Sequence, residues 1–256
     1  MFADLKQFFV EAASTIFIFS IFNKGFNHEL LSDYRRMLFL RLKSLLFRMM
    51  DSLKSVVNRN SLIVKATVAT FFIFMIISVI FTIFVFSLSP ELSNDLNSLI
   101  ESLFNFEDVP EPFSGSFFSF IFLNNIGHFW NPIRMLVWFP LLGSVLLGFE
   151  ILLNSGLIGG ISVMVGIERG IAYPILGLVP HGVIEIPAFL LQIACIVVWQ
   201  VTVSEAIISK LKGKKLEKDK TRQGLQDALI LAITSIILFM IAAAIETYIT
   251  PYLLGL

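Results

Sequence analysis

The stretch Pro180-His181-Gly182-Val183-Ile184-Glu185-Ile186-Pro187-Ala188 sets an imidazole and a carboxylate four residues apart. On a formed helix that spacing puts both side chains on one face, where they could pair, relay a proton or contribute to a metal site. The surrounding residues are apolar enough for lipid. An ionisable group at the centre of a bilayer costs roughly 2.5–3.5 kcal/mol on insertion scales, so it needs a partner or a function. Arg134, Glu168, Arg169 and Glu246 lie in comparable surroundings, as does Glu150, and the amides Asn124 and Asn125 interrupt another apolar run.

Pro187 complicates the pair. In a regular helix its ring would press on the carbonyl of Val183, so the helix is expected to start near residues 184–186 or to kink there. A broken helix at that depth would form a polar cup; a capped helix start is the commoner explanation. No metal or cofactor is expected: there is no His-Glu-x-x-His motif, and the one cysteine, Cys195, rules out disulfides and cysteine-based zinc sites.

The elements that carry these residues follow from composition. The chain has 256 residues, of which 56% are hydrophobic and only 15% charged, so it reads as an all-α, polytopic membrane protein. Residues 62–88, 135–153, 157–178, 183–208 and 225–249 are long and apolar enough to be spans. Residues 113–130, broken by Asn124-Asn125 and His128, are expected to be re-entrant or interfacial, and residues 8–22, which hold Glu11, interfacial or a marginal sixth span. The start lacks a basic, cleavable signal, so a retained N-terminus is expected.

Charge sets the expected orientation. Lys and Arg crowd residues 24–65 and 210–222, whereas residues 89–112 carry only acidic charges. The basic segments should face the cytoplasm. Five spans then give a cytoplasmic N-terminus and an external C-terminus in the cell membrane. In this arrangement Arg134, Glu168, Arg169, His181, Glu185 and Glu246 share the outward half, and Glu150 alone lies toward the cytoplasm. Such a layer could neutralise itself by ion pairs, or its carboxylates could hold protons; sequence admits both.

Residues 1–60 are expected to form cytoplasmic or interfacial helices and residues 61–256 the membrane domain. Between them, Leu31, Tyr34, Leu38, Leu42, Leu45, Met49, Leu53 and Val56 recur at helical spacing, with Arg35, Arg36, Arg41, Lys43 and Arg48 mostly on other faces. That pattern fits a basic helix on the inner leaflet and equally a helix packed on a partner. Gly156, Gly160, Gly166 and Gly170 form two Gly-x-x-x-Gly spacings, for which close helix packing is the default explanation.

Several motifs coincide. Asn124-Asn125, Asn154-Ser155-Gly156, the proline-histidine-glycine element at 180–188, and Ala243-Ala244-Ile245-Glu246 with Thr250-Pro251 together resemble the stage II sporulation protein M family, over roughly residues 123–251. The chain departs from the family pattern at Ser155, which separates Asn154 from Gly156. The resemblance implies a multi-span membrane protein, with His181, Glu185 and Glu246 as family positions and Asn125 behind them. It implies a role beside partners such as cell-wall hydrolases and supplies no reaction.

The leading expectation is a non-enzymatic component that organises partners or lipid. Its expected partners are the bilayer, other proteins of a membrane complex or a second copy of the chain, and not nucleic acid. The alternatives are a transporter or channel built on a broken helix at 180–187 and, last, a metal-dependent intramembrane hydrolase.

Overall fold

Long uninterrupted apolar runs can satisfy their backbone groups without water only by forming helices, and helices are what the chain forms. The computed structural model describes residues 28–88 and 109–255. Residues 8–22 and most of the acidic connector 89–112 lie outside them. The described elements are α1 (His28–Arg59), α2 (Ser61–Leu88), α3 (Gly115–Asn125), two 3₁₀ turns (Gly127–Phe129 and Arg134–Trp138), α4 (Leu142–Arg169), α5 (Ala172–Leu211), α6 (Lys218–Tyr248) and α7 (Thr250–Leu254). The chain divides into two units at Ser52–Leu53, part-way along α1.

Four described helices are long and apolar enough to cross a membrane: α2, α4, α5, and α6 with α7. The chain is thus an all-α, multi-pass membrane protein, but its segmentation differs from expectation. Residues 142–169 form one helix where two spans were expected to meet. The break falls instead at Gly170, whose φ of 86° suits glycine and ends α4. The helix expected to break at 180–187 is continuous: α5 runs 40 residues through both Pro180 and Pro187. Each proline withholds one amide donor, yet its fixed φ is itself helical, and tight packing against α6 holds the helix through the defect.

A fifth pass is irregular. The amide of Phe113 donates to the carbonyl of Thr247 near the end of α6. From there α3 packs along α6, Asn125 reaches Glu185, and the second 3₁₀ turn brings the carbonyl of Val137 to the side-chain amide of Gln200. His181, which touches Thr250, and Gln200 stand about 28 Å apart along α5 at a rise of about 1.5 Å per residue. Residues 113–141 therefore traverse nearly the full thickness of a hydrocarbon core of about 30 Å. The expectation that 113–130 turns back and that Arg134 opens a regular span is corrected: this whole stretch makes one broken pass. The helices of spanning length among the described residues are α2, α4, α5, and α6 with α7, and the broken stretch 113–141 runs beside them.

Packing explains why α5 and α6 form the centre. Ala188, Ile193, Ala194, Cys195 and Ile196 on α5 and Leu231, Ala242 and Ala243 on α6 are inaccessible or almost so, and Ser235 Oγ donates to the carbonyl of Ala188 across the interface at 2.8 Å. The small residues let the two backbones approach. By contrast α2 turns Ile73, Ile76, Ile77, Ile80, Phe81 and Phe84 outward and packs chiefly on α4. There the close approach falls at Gly159, which lies outside the two Gly-x-x-x-Gly spacings, while a Cβ on Gly156 or Gly170 would meet nothing. A Cβ on Gly159 would meet the carbonyl of Met75, and Ser78 Oγ donates to the carbonyl of Gly156 at 2.7 Å.

Candidate functional site

The continuity of α5 through Pro180 means that a formed helix already exists at His181, so His181 and Glu185 do share a face. His181 Nε2 lies 3.6 Å from Glu185 Oε2. The end of α6 brings Glu246 to the same place: one ligating atom from each of His181, Glu185 and Glu246 lies within 4.8 Å of the others. α7, which begins at Thr250 immediately after α6, supplies Thr250 Oγ1 at 3.2 Å from His181 Nδ1. The broken pass supplies Asn125, whose Nδ2 donates to Glu185 Oε1 at 2.9 Å and whose carbonyl accepts from Gln192 Nε2 at 3.3 Å. Of the residues singled out from sequence, the structure brings together His181, Glu185, Glu246 and Asn125.

Arg134 belongs to a neighbouring cluster. Its guanidinium donates to Glu150 Oε1 at 3.0 Å and to the carbonyl of Asn124, while the His128 ring donates from Nε2 to Glu150 Oε2 at 2.5 Å. Trp138 Nε1 donates to the carbonyl of His128 at 2.8 Å and so holds the two 3₁₀ turns together. Glu150 thus lies opposite the broken pass, which provides both of these side-chain partners. Glu168 and Arg169 are elsewhere: they are exposed at the end of α4, where Arg169 donates to Tyr173 Oη and lies over its ring. The expected single layer of six groups is therefore corrected to two clusters and an exposed helix end, because Arg134 sits in the broken pass and the turn at Gly170 carries 168 and 169 clear of the bundle.

Arg134 and Glu185 also line one cavity of about 240 Å³, with Asn124, Asn125 and Asn154 among its walls. The two clusters thus face a common space. Among the described residues neither Glu185 nor Glu246 has a lysine or arginine partner, whereas Glu150 has one. Two charged carboxylates within 4.8 Å would repel by about 3.5 kcal/mol at an effective dielectric of about 20.

A third polar knot ties the far end. Asp227 on α6 accepts from Arg59 at 2.7 and 3.1 Å, from Asn60 at 2.9 Å and from Gln223 at 2.8 Å. The hydrogen bonds to Asp227 hold the Arg59 guanidinium above its ordinary pKa. Sequence reasoning gave His128, Asn154, Gln192, Gln200 and Asp227 no place in a site, and gave Glu150 no partner. The usable signal was the placing of Gln192 about two helical turns beyond Glu185 within an apolar run. Of the basic residues expected at the membrane surface, Lys43 and Arg48 are exposed on α1; Arg35, Arg36 and Arg41 lie on the same helix, with side chains outside the described set.

No curated protein and no solved structure matches the chain. The family model for stage II sporulation protein M matches residues 69–251, a range that takes in α4–α6, the broken pass and every member of both clusters that face the cavity. The chain belongs to the stage II sporulation protein M family.

Proposed function

We propose that the protein is a non-enzymatic organising component of the cell membrane, with its N-terminus in the cytoplasm and its C-terminus outside. The observation that carries this reading is that interior charges join separate elements. Arg134 and His128 pin the broken pass to α4 through Glu150, and Arg59 and Asn60 pin the start of the bundle to α6 through Asp227. Such knots favour one fixed arrangement of helices over sliding ones. The basic residues around the α5–α6 turn support the orientation. On α1, Lys43 stands exposed beside the exposed apolar Leu40, Phe47 and Met50, a mixture suited to headgroups or to a partner helix.

The test is photo-crosslinking in cells from probes at Phe47 and Met50, together with flux measurements on vesicles containing the purified chain. An organising component yields discrete protein adducts and no solute flux. Ion- or proton-coupled flux abolished by Glu185→Gln would overturn the proposal and favour a transporter. That second reading has its own observation: the cavity of about 240 Å³ beside a broken pass, with Glu185 in its wall.

A further inference from the structure

We infer that His181, Glu185 and Glu246 form a binding site for one divalent transition-metal cation of the zinc type, which clasps α5 to the end of α6. The inference is independent of whether the protein organises partners or transports a solute. It also departs from the sequence, where a lone His-x-x-x-Glu carries little weight, because the third ligand comes from residue 246 and only folding delivers it.

Three observations converge. The first is spacing. Ligands at about 2.0–2.2 Å from a tetrahedral zinc stand about 3.4 Å from each other. His181 Nε2 and Glu185 Oε2 are already 3.6 Å apart, too far for a hydrogen bond and close to that edge length, and the ligating atoms of all three residues lie within 4.8 Å of one another. Closing the set takes a shift of the Glu246 carboxylate of up to about 1.4 Å, the difference between 4.8 Å and that edge length.

The second is orientation by neighbours. His181 Nδ1 lies 3.2 Å from Thr250 Oγ1, and in the tautomer that donates its Nδ1 hydrogen there the ring presents the Nε2 lone pair to the cluster. His181 is 8% exposed, and Nε2 has no hydrogen-bond partner closer than the Glu185 carboxylate. Asn125 Nδ2 holds Glu185 Oε1 and leaves Oε2 turned toward His181. Metal-ligating histidines and carboxylates are aimed in this way by an outer shell of hydrogen bonds.

The third is charge. The nearest guanidinium along the broken pass, Arg134, is engaged by Glu150, so the pair of carboxylates lacks a cation of its own. A divalent ion bound by one imidazole and two carboxylates balances them and turns their repulsion into attraction. Three protein ligands leave one position open, and Glu185 also lines the cavity.

The experiment uses the full-length protein in detergent, stripped with a chelator and titrated with Co²⁺ as an absorbing substitute for zinc. One equivalent is expected to bind with the visible absorption of a four- or five-coordinate site, and Zn²⁺ should displace it. Glu246→Gln and His181→Asn should abolish the spectrum, Thr250→Val should weaken binding roughly 10–100-fold, and Glu168→Gln should leave it unchanged. Glu246→Asp, which retains the carboxylate, guards against a folding defect and should bind with reduced affinity. A wild-type protein that takes up no Co²⁺ at roughly 100 μM overturns the inference, because structural sites bind far more tightly than that. Stoichiometric binding that survives Glu246→Gln overturns it as well.

Discussion

Among the described residues the Glu150 cluster contains its own cation and the Glu185–Glu246 cluster does not, although each lends one side chain, Arg134 or Glu185, to the wall of the same cavity. Glu150 receives Arg134 and His128 from the broken pass. Glu185 receives only the amide of Asn125 from that pass, and Glu246 lies beside Glu185. Each cluster has a buried histidine beside a part-exposed carboxylate, Glu150 at 18% and Glu185 at 28%, so burial does not separate them. The difference teaches that in a helical membrane bundle the reach of one arginine decides whether a carboxylate acts as a structural tie or stays available to an ion.

The sharpest way to break the contrast is Arg134→Ala. It leaves the Glu150 carboxylate with His128 as its remaining side-chain partner, and the expected loss is on the order of 3 kcal/mol, read as a lower midpoint in denaturing mixed micelles. Gly143→Ala acts on the same cluster indirectly. The added methyl would meet the backbone carbonyl of Val137 and the Gln200 amide, displacing the turn that carries Arg134. A destabilisation of about 1–3 kcal/mol is expected, against no measurable change for Gly148→Ala, where nothing lies in the way.

Asp227→Asn probes a tie whose cation can escape to water, since the Arg59 side chain is 42% exposed. The expected cost is smaller, about 1–2 kcal/mol, mostly from hydrogen bonds lost by Asp227. The smallest effect sharpens the comparison most. In chelator, Glu246→Gln should change stability by less than about 1 kcal/mol in either direction, because removing one of two adjacent carboxylates relieves repulsion while the hydrogen-bonding capacity remains. If that variant proves as damaging as Arg134→Ala, the two clusters are of one kind and the distinction fails.

Much of the fold was legible in the residues. The apolar runs at 62–88 and 225–249 matched α2 and α6 closely, and the small-residue stretch around Gly159 indicated close packing, as its contact with Met75 bears out. The course of the chain between them was less legible. Asn124, Asn125, His128 and Pro132 mark residues 113–141 as a poor span when considered alone; the pass forms because α4, α5 and α6 supply partners for its polar groups. The prolines of α5 misled in the opposite sense. A proline is a strong local signal for a break, while Gly170, the actual break, is a single glycine in a stretch rich in them.

The site divides along the same line. Residue chemistry alone picks out His181, Glu185 and Glu246, since ionisable groups in apolar runs stand out wherever they fold. Which of them meet depends on how far each helix is rotated and shifted against its neighbours, and that is set by the packing of α5 on α6 and by the course of the broken pass. Sequence by itself determined the helical, multi-pass class and the choice of residues, because both follow from local hydropathy. Only the tertiary structure decided that Arg134 belongs to Glu150 and Glu246 to Glu185, because charge pairing in a bundle is a matter of depth and facing, which no local pattern records.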